Sequence, residues 1–250
     1  MNFFSLFKRN IIYQFKKKIL IDSDNINFNS LDKLFHHYGS DKAETFKLTN
    51  KTGHGFSKFY EEKLEKYKSE KIKILEIGSY AGASAAAFVK YLPNVNIYCF
   101  DVNISNFKYK SKNIHVFGVD IKDEKKIKKT LKNIFLQHKF DKFDIIIDDG
   151  SHYLDEILIG LKFFFTFVKS KGLYIIEDFK FPNYYKYNNN INHILVNEFL
   201  KNLDNKKLSK SNIFSQDDQS ILMESIEKIE NFKGNLKESD ISFISKKWVK

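Results

Sequence analysis

Phe143–Asp144–Ile145–Ile146–Ile147–Asp148–Asp149–Gly150–Ser151–His152 is the stretch on which the reading of this chain turns. Its consecutive isoleucines fit a strand buried on both faces, as strands of parallel sheets are. The run ends in two acids, a turn glycine and a histidine, and a helical pattern follows through about Ser170. The same unit recurs outward in both directions. Upstream, Lys71–Ile77 ends at Gly78 before a helical Ala83–Tyr91, and Asn96–Phe100 ends at Asp101. Ile114–Val119 ends at Asp120 before the amphipathic, lysine-faced Glu124–His138. Downstream, Leu173–Ile176 ends at Glu177–Asp178. Strands alternating with helices predict an α/β fold with a doubly wound, mostly parallel sheet. Two late runs, Ile226–Phe232 and Ile241–Ser245, are split by Gly234 and predict an antiparallel hairpin at the sheet edge, for seven strands in all.

Residues 71–250 are therefore read as the main domain, and residues 1–70 as a basic arm with a helical cap. In the arm, Phe3, Phe4, Leu6, Phe7, Ile11, Ile12, Phe15 and Leu20 are expected to share one helix face with lysines opposite. Such a helix suits packing on the domain, a dimer contact or a membrane surface. Helical patterns at Leu31–Tyr38 and Phe56–Lys68 flank a polar loop with Gly39, Gly53 and Gly55. Beyond Phe181–Pro182, the Asn- and Tyr-rich stretch Asn183–Asn192 reads as a mobile lid, and His193 to Leu208 as a helix.

Lys and Arg number 42 against 31 Asp and Glu, a net charge of +11. That excess is compatible with nucleic acid, an anionic membrane or an acidic small substrate. Lys, Asn, Ile, Phe and Tyr all have AT-rich codons, however, so genome bias accounts for much of the lysine. No aromatic–basic motif of an RNA-binding module is found. The single cysteine, Cys99, excludes an internal disulfide and a zinc cluster, and points to a reducing, cytoplasmic setting. No apolar run approaches the roughly 18 residues of a membrane span. Lys8, Arg9 and Lys16–Lys17–Lys18 interrupt the N-terminal apolar residues, which is unlike a signal peptide.

Open parallel sheets bind ligands beyond the carboxyl ends of their strands. The first such end is Leu75–Glu76–Ile77–Gly78–Ser79–Tyr80–Ala81–Gly82. Gly78 and Gly82 allow a tight turn and close backbone approach, and the helix start at Ala83–Ser84 offers unsatisfied N–H donors. This is not the dinucleotide G-x-G-x-x-G pattern. Asp101, 25 residues after Glu76, stands where an acid accepts hydrogen bonds from ribose hydroxyls, and Asp120 lines the adenine side. Were the fourth and fifth strands neighbours, Asp149, Glu177 and Asp178 would converge, and a hard divalent cation, Mg²⁺ or else Mn²⁺, would relieve their repulsion. His152, three residues past Asp149, is placed to act as general base.

With these residues in hand, the chain resembles class I S-adenosylmethionine-dependent methyltransferases, and more narrowly the metal-dependent O-methyltransferases of macrolide sugars. Tyr38–Gly39–Ser40–Asp41–Lys42 is similar to that family's Tyr-Gly-(Thr/Ser)-Asp-Lys segment. His54–Gly55–Phe56–Ser57–Lys58–Phe59–Tyr60 is similar to its His-x-Tyr-x-x-x-Tyr, with Phe56 replacing tyrosine. Leu75–Gly82, Asp101, Asp148–His152 and Ile175–Asp178 match its cofactor, metal and base segments. The likeness runs from about residue 31 to 180. It implies cofactor contacts from Ser40, Lys42, Glu76, Gly78, Ser79, Tyr80, Gly82, Ser84, Asp101, Val102, Asp120, Ile121 and Asp149. It further implies a metal on Asp149, Glu177 and Asp178, with His152 and Asp149 catalytic. Ala81 stands where glycine is frequent, which requires that the backbone not be left-handed there. Val119–Asp120–Ile121–Lys122–Asp123 replaces a Gly-Asp-Gln-Ser-Asp pattern, and Phe179–Lys180–Phe181–Pro182 replaces Thr-Ser-Tyr-Trp-like residues, pointing to a different acceptor.

The function expected is O-methylation of a sugar or sugar-linked acceptor, phosphate- or phosphoramidate-bearing variants included, in bacterial surface-glycan or capsule synthesis. Lys42, Lys180 and Lys186 are candidates near the acceptor mouth. A homodimer and peripheral membrane contact through the arm are expected partners. An RNA methyltransferase or basic nucleic-acid binder on the same fold is the alternative, together with a scaffold that retains the fold without catalysis.

Overall fold

The computed structural model describes residues 3–179 and 194–248. It contains two compact units, residues 1–140 with 234–236 and residues 141–233 with 237–250, so the boundary expected near residue 70 lies inside the first unit. We label the main strands β1 to β7 and the helices α1 to α8.

The first unit holds α1 (Phe3–Phe15), α2 (Leu31–Tyr38), α3 (Ser57–Leu64), α4 (Ala83–Tyr91) and α5 (Glu124–His138). Its strands β1 (Lys73–Ile77), β2 (Asn96–Asp101) and β3 (Ile114–Gly118) are parallel, in the order β1-β2-β3. Ile74, Leu75, Ile97, Tyr98, Cys99 and Phe100 are all buried, as strands covered on both faces require. Ala85, Ala86 and Ala87 let α4 lie close to its neighbours, and Phe88 meets Phe35 of α2 and Tyr60 of α3 edge-on at 5.3 and 5.2 Å. α5 starts where the Asp123 side chain accepts from Lys126 N, and buries Ile127, Leu131 and Ile134 at helical spacing.

The arm departs from expectation. Leu6 is buried, whereas Phe7, Ile11, Ile12 and Phe15 are exposed, so the apolar residues do not share one buried face. Positions 7, 11 and 15 follow one another at i+4, and Leu6 lies about 100° from that row. Leu6 belongs instead to an inner face with Arg9, Asn10, Tyr13 and Lys16, which grips the segment after β2. Arg9 Nη1 donates to Val102 O, Lys16 Nζ to Ser105 O and Asn106 O, and Tyr13 sits edge-on to Phe107. Ile19–Leu20 then pairs in parallel with Tyr109–Lys110.

The second unit holds β4 (Phe143–Asp148), α6 (Leu154–Phe164), β5 (Val168–Glu177), α7 (Val196–Asp204), α8 (Gln216–Ser225), β6 (Ile226–Lys233) and β7 (Asp240–Lys246). β4 and β5 are parallel, with Ile147 opposite Ile175 and Asp148 opposite Ile176, so their acidic ends lie level. β7 runs antiparallel to β5 on one side and to β6 on the other, which is the edge hairpin expected from Gly234. The first unit thus supplies three parallel strands, and the second supplies a parallel pair with an antiparallel hairpin at its edge, seven main strands in all.

Two differences are local. α6 ends at Phe164 rather than near Ser170, and β5 begins at Val168. Gly172 permits the early strand, because a Cβ there would lie 2.6 Å from Asp144 O. α8 went unread in the sequence, although its start carries a capping box. Ser215 Oγ accepts from Asp218 N, and the Asp218 carboxylate accepts from Ser215 N. The proposed lid at Asn183–Asn192, the opening of the helix at His193, and Lys180 and Lys186 lie outside the described residues. No described helix is long and apolar enough to cross a membrane.

Candidate active site

In the second unit, Asp149 and His152 follow β4, and Asp178 follows β5. One ligand atom from each lies within 4.8 Å of the other two. His152 Nε2 is 3.9 Å from Asp149 Oδ1. The level ends of β4 and β5 account for this meeting, and two backbone distortions complete it. His152 has φ +58° and Asp178 has φ +53°, left-handed values that a side chain makes costly. Asp178 N donates to Asp240 O on the neighbouring β7, which fixes the turned residue. Glu177, the last residue of β5, is buried and stands outside the three-residue cluster. Strand alternation stops at Glu177, because the left-handed Asp178 turns the chain away from the strand path.

Asp148, one residue before the cluster, is buried beneath it. Tyr174 OH donates to its Oδ2 at 3.1 Å. Burial pushes the Asp148 carboxyl up to about 7, against the opposing hydrogen bonds from Tyr174 and the Gly150 backbone. Gly160 of α6 makes room for the pair, since a Cβ there would lie 2.7 Å from Asp148 Oδ2. Asp148 has no role legible in the sequence. The residues that reveal its setting, Gly160 and Tyr174, are 12 and 26 positions away.

Asp149 and Asp178 fit a divalent cation, since their carboxylates offer hard oxygen ligands close to one another, and His152 stands beside them with a ring nitrogen for a proton.

In the first unit, the glycine turn is as tight as the sequence required. Gly78 has φ +85°, Tyr80 φ +40° and Gly82 φ +78°, while Ala81 is not left-handed, which is the condition its lost glycine demanded. Gly78 N donates to Phe100 O and Gly82 N to Ser79 O. Asp101 holds the turn: its Oδ2 accepts from Tyr80 N at 2.7 Å and its Oδ1 from Asn103 N at 2.5 Å. Each of these oxygens keeps a second lone pair for a ligand hydroxyl.

Glu76 and Ser84, both buried, bond each other through Ser84 Oγ and Glu76 Oε1 at 2.5 Å, tying the start of α4 to the end of β1. Ser79 is buried and donates to Glu76 O, whereas Tyr80 is exposed. Beyond β3, Asp120 lines a cavity of about 620 Å³ with Leu6, Lys122, Asp123, Glu124, Lys125 and Lys128. Asp120 Oδ1 accepts from Lys122 N across Ile121. Val102 is exposed and contributes its carbonyl to Arg9.

Ser40 and Lys42 follow the left-handed cap Gly39 and are both buried. Lys42 N is 3.4 Å from Ser40 Oγ, and Lys42 O accepts from Phe56 N. His54 lies 4.0 Å from Asp41 and rests on Phe56. Gly53 is required here because a Cβ would lie 2.2 Å from Ala43 O.

No protein-family model matches the chain. It is similar to demethylmacrocin O-methyltransferase of Streptomyces fradiae, 29% identical over 140 residues covering 52% of this chain and 34% of that protein. It is also similar to mycinamicin VI 2''-O-methyltransferase of Micromonospora griseorubida, 26% identical over 132 residues, 50% and 31% of the two chains. L-olivosyl-oleandolide 3-O-methyltransferase of Streptomyces antibioticus is 27% identical over 155 residues, 59% and 36%. The chain thus spans about a third of the length of these relatives. Among solved structures, it superposes on the MycE methyltransferase of the mycinamycin pathway, in complex with Mg, SAH and mycinamycin VI. The TM-score is 0.65 at 21% identity, covering 88% of this chain and 55% of that one. The chain has the class I methyltransferase fold and is similar, over 50–59% of its length, to macrolide-sugar O-methyltransferases.

Proposed function

We propose that this protein is an S-adenosylmethionine-dependent, Mg²⁺-assisted O-methyltransferase of a sugar hydroxyl on a small acceptor. The observation that carries the reading is the convergence of Asp149, His152 and Asp178 beyond two adjacent parallel strands. When bound, S-adenosylmethionine supplies an electrophilic methyl group, and Mg²⁺ supplies a Lewis acid that acidifies a hydroxyl.

The chain's own residues do the rest. Asp149 and Asp178 hold the cation, with Glu177 as the further carboxylate expected by resemblance. His152 accepts the hydroxyl proton at a ring nitrogen as the acceptor oxygen takes the methyl, and the Asp149 carboxylate at 3.9 Å stabilises the imidazolium that results. The left-handed backbone at His152 aims the ring without a long flexible linker. In the first unit, Gly78–Gly82 presents backbone to the cofactor, Asp101 and Val102 its ribose side, and Asp120 and Ile121 its adenine side. Ser40, Lys42, Glu76, Ser84 and Asp149 are the remaining cofactor residues that the resemblance implies.

The acceptor is a sugar of a bacterial surface glycan or capsule precursor, and the net charge of +11 favours an anionic, phosphorylated form. The setting is cytoplasmic. Titration calorimetry with S-adenosylhomocysteine and Mg²⁺, alongside transfer of labelled methyl to sugar phosphates, neutral sugars and RNA, tests the reading. Asp149→Ala is expected to abolish Mg²⁺ binding and lower transfer by about 10²-fold or more. Mg²⁺-independent transfer unchanged in Asp149→Ala would sink the metal role. Transfer to RNA alone would replace the acceptor.

A further inference from the structure

α1 is gripped on one side and bare on the other. Its inner face is fastened to the segment after β2 by Arg9, Tyr13 and Lys16. The outer face carries Phe7, Ile11, Ile12 and Phe15, which are 57, 40, 44 and 84% exposed. Isolated exposed apolar residues are ordinary, but four on one 13-residue helix form a continuous row. Ile19 and Leu20, each 53% exposed, follow directly after it.

The charge within the segment that carries this row has one sign. Residues 1–21 contain Lys8, Arg9, Lys16, Lys17 and Lys18 and no Asp or Glu. Lys8 and Lys17 are exposed. A second copy of the chain laid symmetrically on this face would set the exposed Lys8 and Lys17 against their own counterparts, with no acidic residue of the segment to neutralise them. An anionic lipid surface answers both features, taking the aromatic and isoleucine side chains into its headgroup boundary and pairing the lysines with its phosphates.

We propose that the outer face of α1 docks this protein on anionic membrane surfaces, with Phe7, Ile11, Ile12 and Phe15 inserted and Lys8 and Lys17 at the headgroups. Because the inner face stays attached to the unit, the helix docks as a rigid part of the protein and does not have to fold on arrival. The docking reading is independent of the acceptor and of the methyl transfer.

The test is flotation of the full chain with vesicles of phosphatidylcholine alone and of phosphatidylcholine with phosphatidylglycerol. Binding is expected only with the anionic lipid and is expected to fall with added salt. Phe7→Ser/Phe15→Ser should lower the partition coefficient by roughly tenfold or more, and Lys8→Glu/Lys17→Glu by a similar factor. Far-UV circular dichroism and melting temperature should match the parent for both variants, since neither pair touches the inner face. No binding to anionic vesicles overturns the proposal, as does equal binding to neutral ones. Sedimentation equilibrium that shows a dimer lost in Phe7→Ser/Phe15→Ser would assign the face to a second copy and overturn it too.

Discussion

Replacing Gly82 by alanine perturbs the cofactor turn in two separable ways. The first is conformational: Gly82 sits at φ +78°, where an L side chain costs about 1–2 kcal/mol. The second is steric. A Cβ at this position would lie 2.4 Å from the Phe107 ring, well inside normal carbon contact, and Phe107 is fully buried. Its ring therefore has to move in a packed interior, which costs about 1–3 kcal/mol. The sum is about 2–5 kcal/mol, a large share of the roughly 5–15 kcal/mol that stabilises an ordinary domain.

Urea denaturation followed by circular dichroism measures the loss, and calorimetry with S-adenosylhomocysteine measures the weakening of binding as the turn shifts. A double-mutant cycle with Phe107→Ala separates the two causes. With the ring gone, Gly82→Ala should cost only its conformational part, about 1–2 kcal/mol. The same cost in both backgrounds, or a cost below 1 kcal/mol in the parent, would refute the packing argument.

Other outcomes follow from single contacts. Tyr174→Phe removes the donor to buried Asp148 and should destabilise the protein by about 1–3 kcal/mol in urea titration, with an unchanged midpoint counting against that hydrogen bond. Ser215→Ala breaks the capping box of α8 and should cost about 1 kcal/mol, read as a lowered melting temperature. His115 stacks on Tyr98 and meets His138, and burial followed by the His138 charge lowers it from 6.5 to about 4. Its folded pKa lies below the unfolded one, so the unfolded chain binds more protons and stability should fall as pH drops from about 6.5 towards 4. The loss is at most about 3 kcal/mol and is smaller to the extent that the ring is solvated. His115→Gln should flatten the slope of urea midpoint against pH in that window, and an unaltered slope would remove His115 as its source.

The sheet was legible in the residues because a buried parallel strand has to be apolar along its length and has to stop where polar groups begin. Each main strand was placed within a few residues for that reason, and the exception, the early start of β5 at Val168, depends on Gly172 meeting the backbone of Asp144. α5 was visible because Ile127, Leu131 and Ile134 repeat at helical spacing. α8 was not, since only Gln219 and Leu222 are buried along it and its capping box carries the signal instead.

The sequence by itself determined that acids and glycines close the strands, because their positions follow from order along the chain. Tertiary structure decided which of those acids meet. Asp149, His152 and Asp178 converge through the level pairing of β4 with β5 and through two left-handed residues that nothing in residue type announces. Glu177, a carboxylate like Asp178, is the last residue of β5, whereas Asp178 sits in the left-handed turn that follows it. The arm shows the same division. Its residues disclosed a basic amphipathic helix, but only the packing of Leu6 and Arg9 against the unit settled which side faces inward and left Phe7, Ile11, Ile12 and Phe15 to the solvent. A helix pattern states a period, and the neighbours choose its phase.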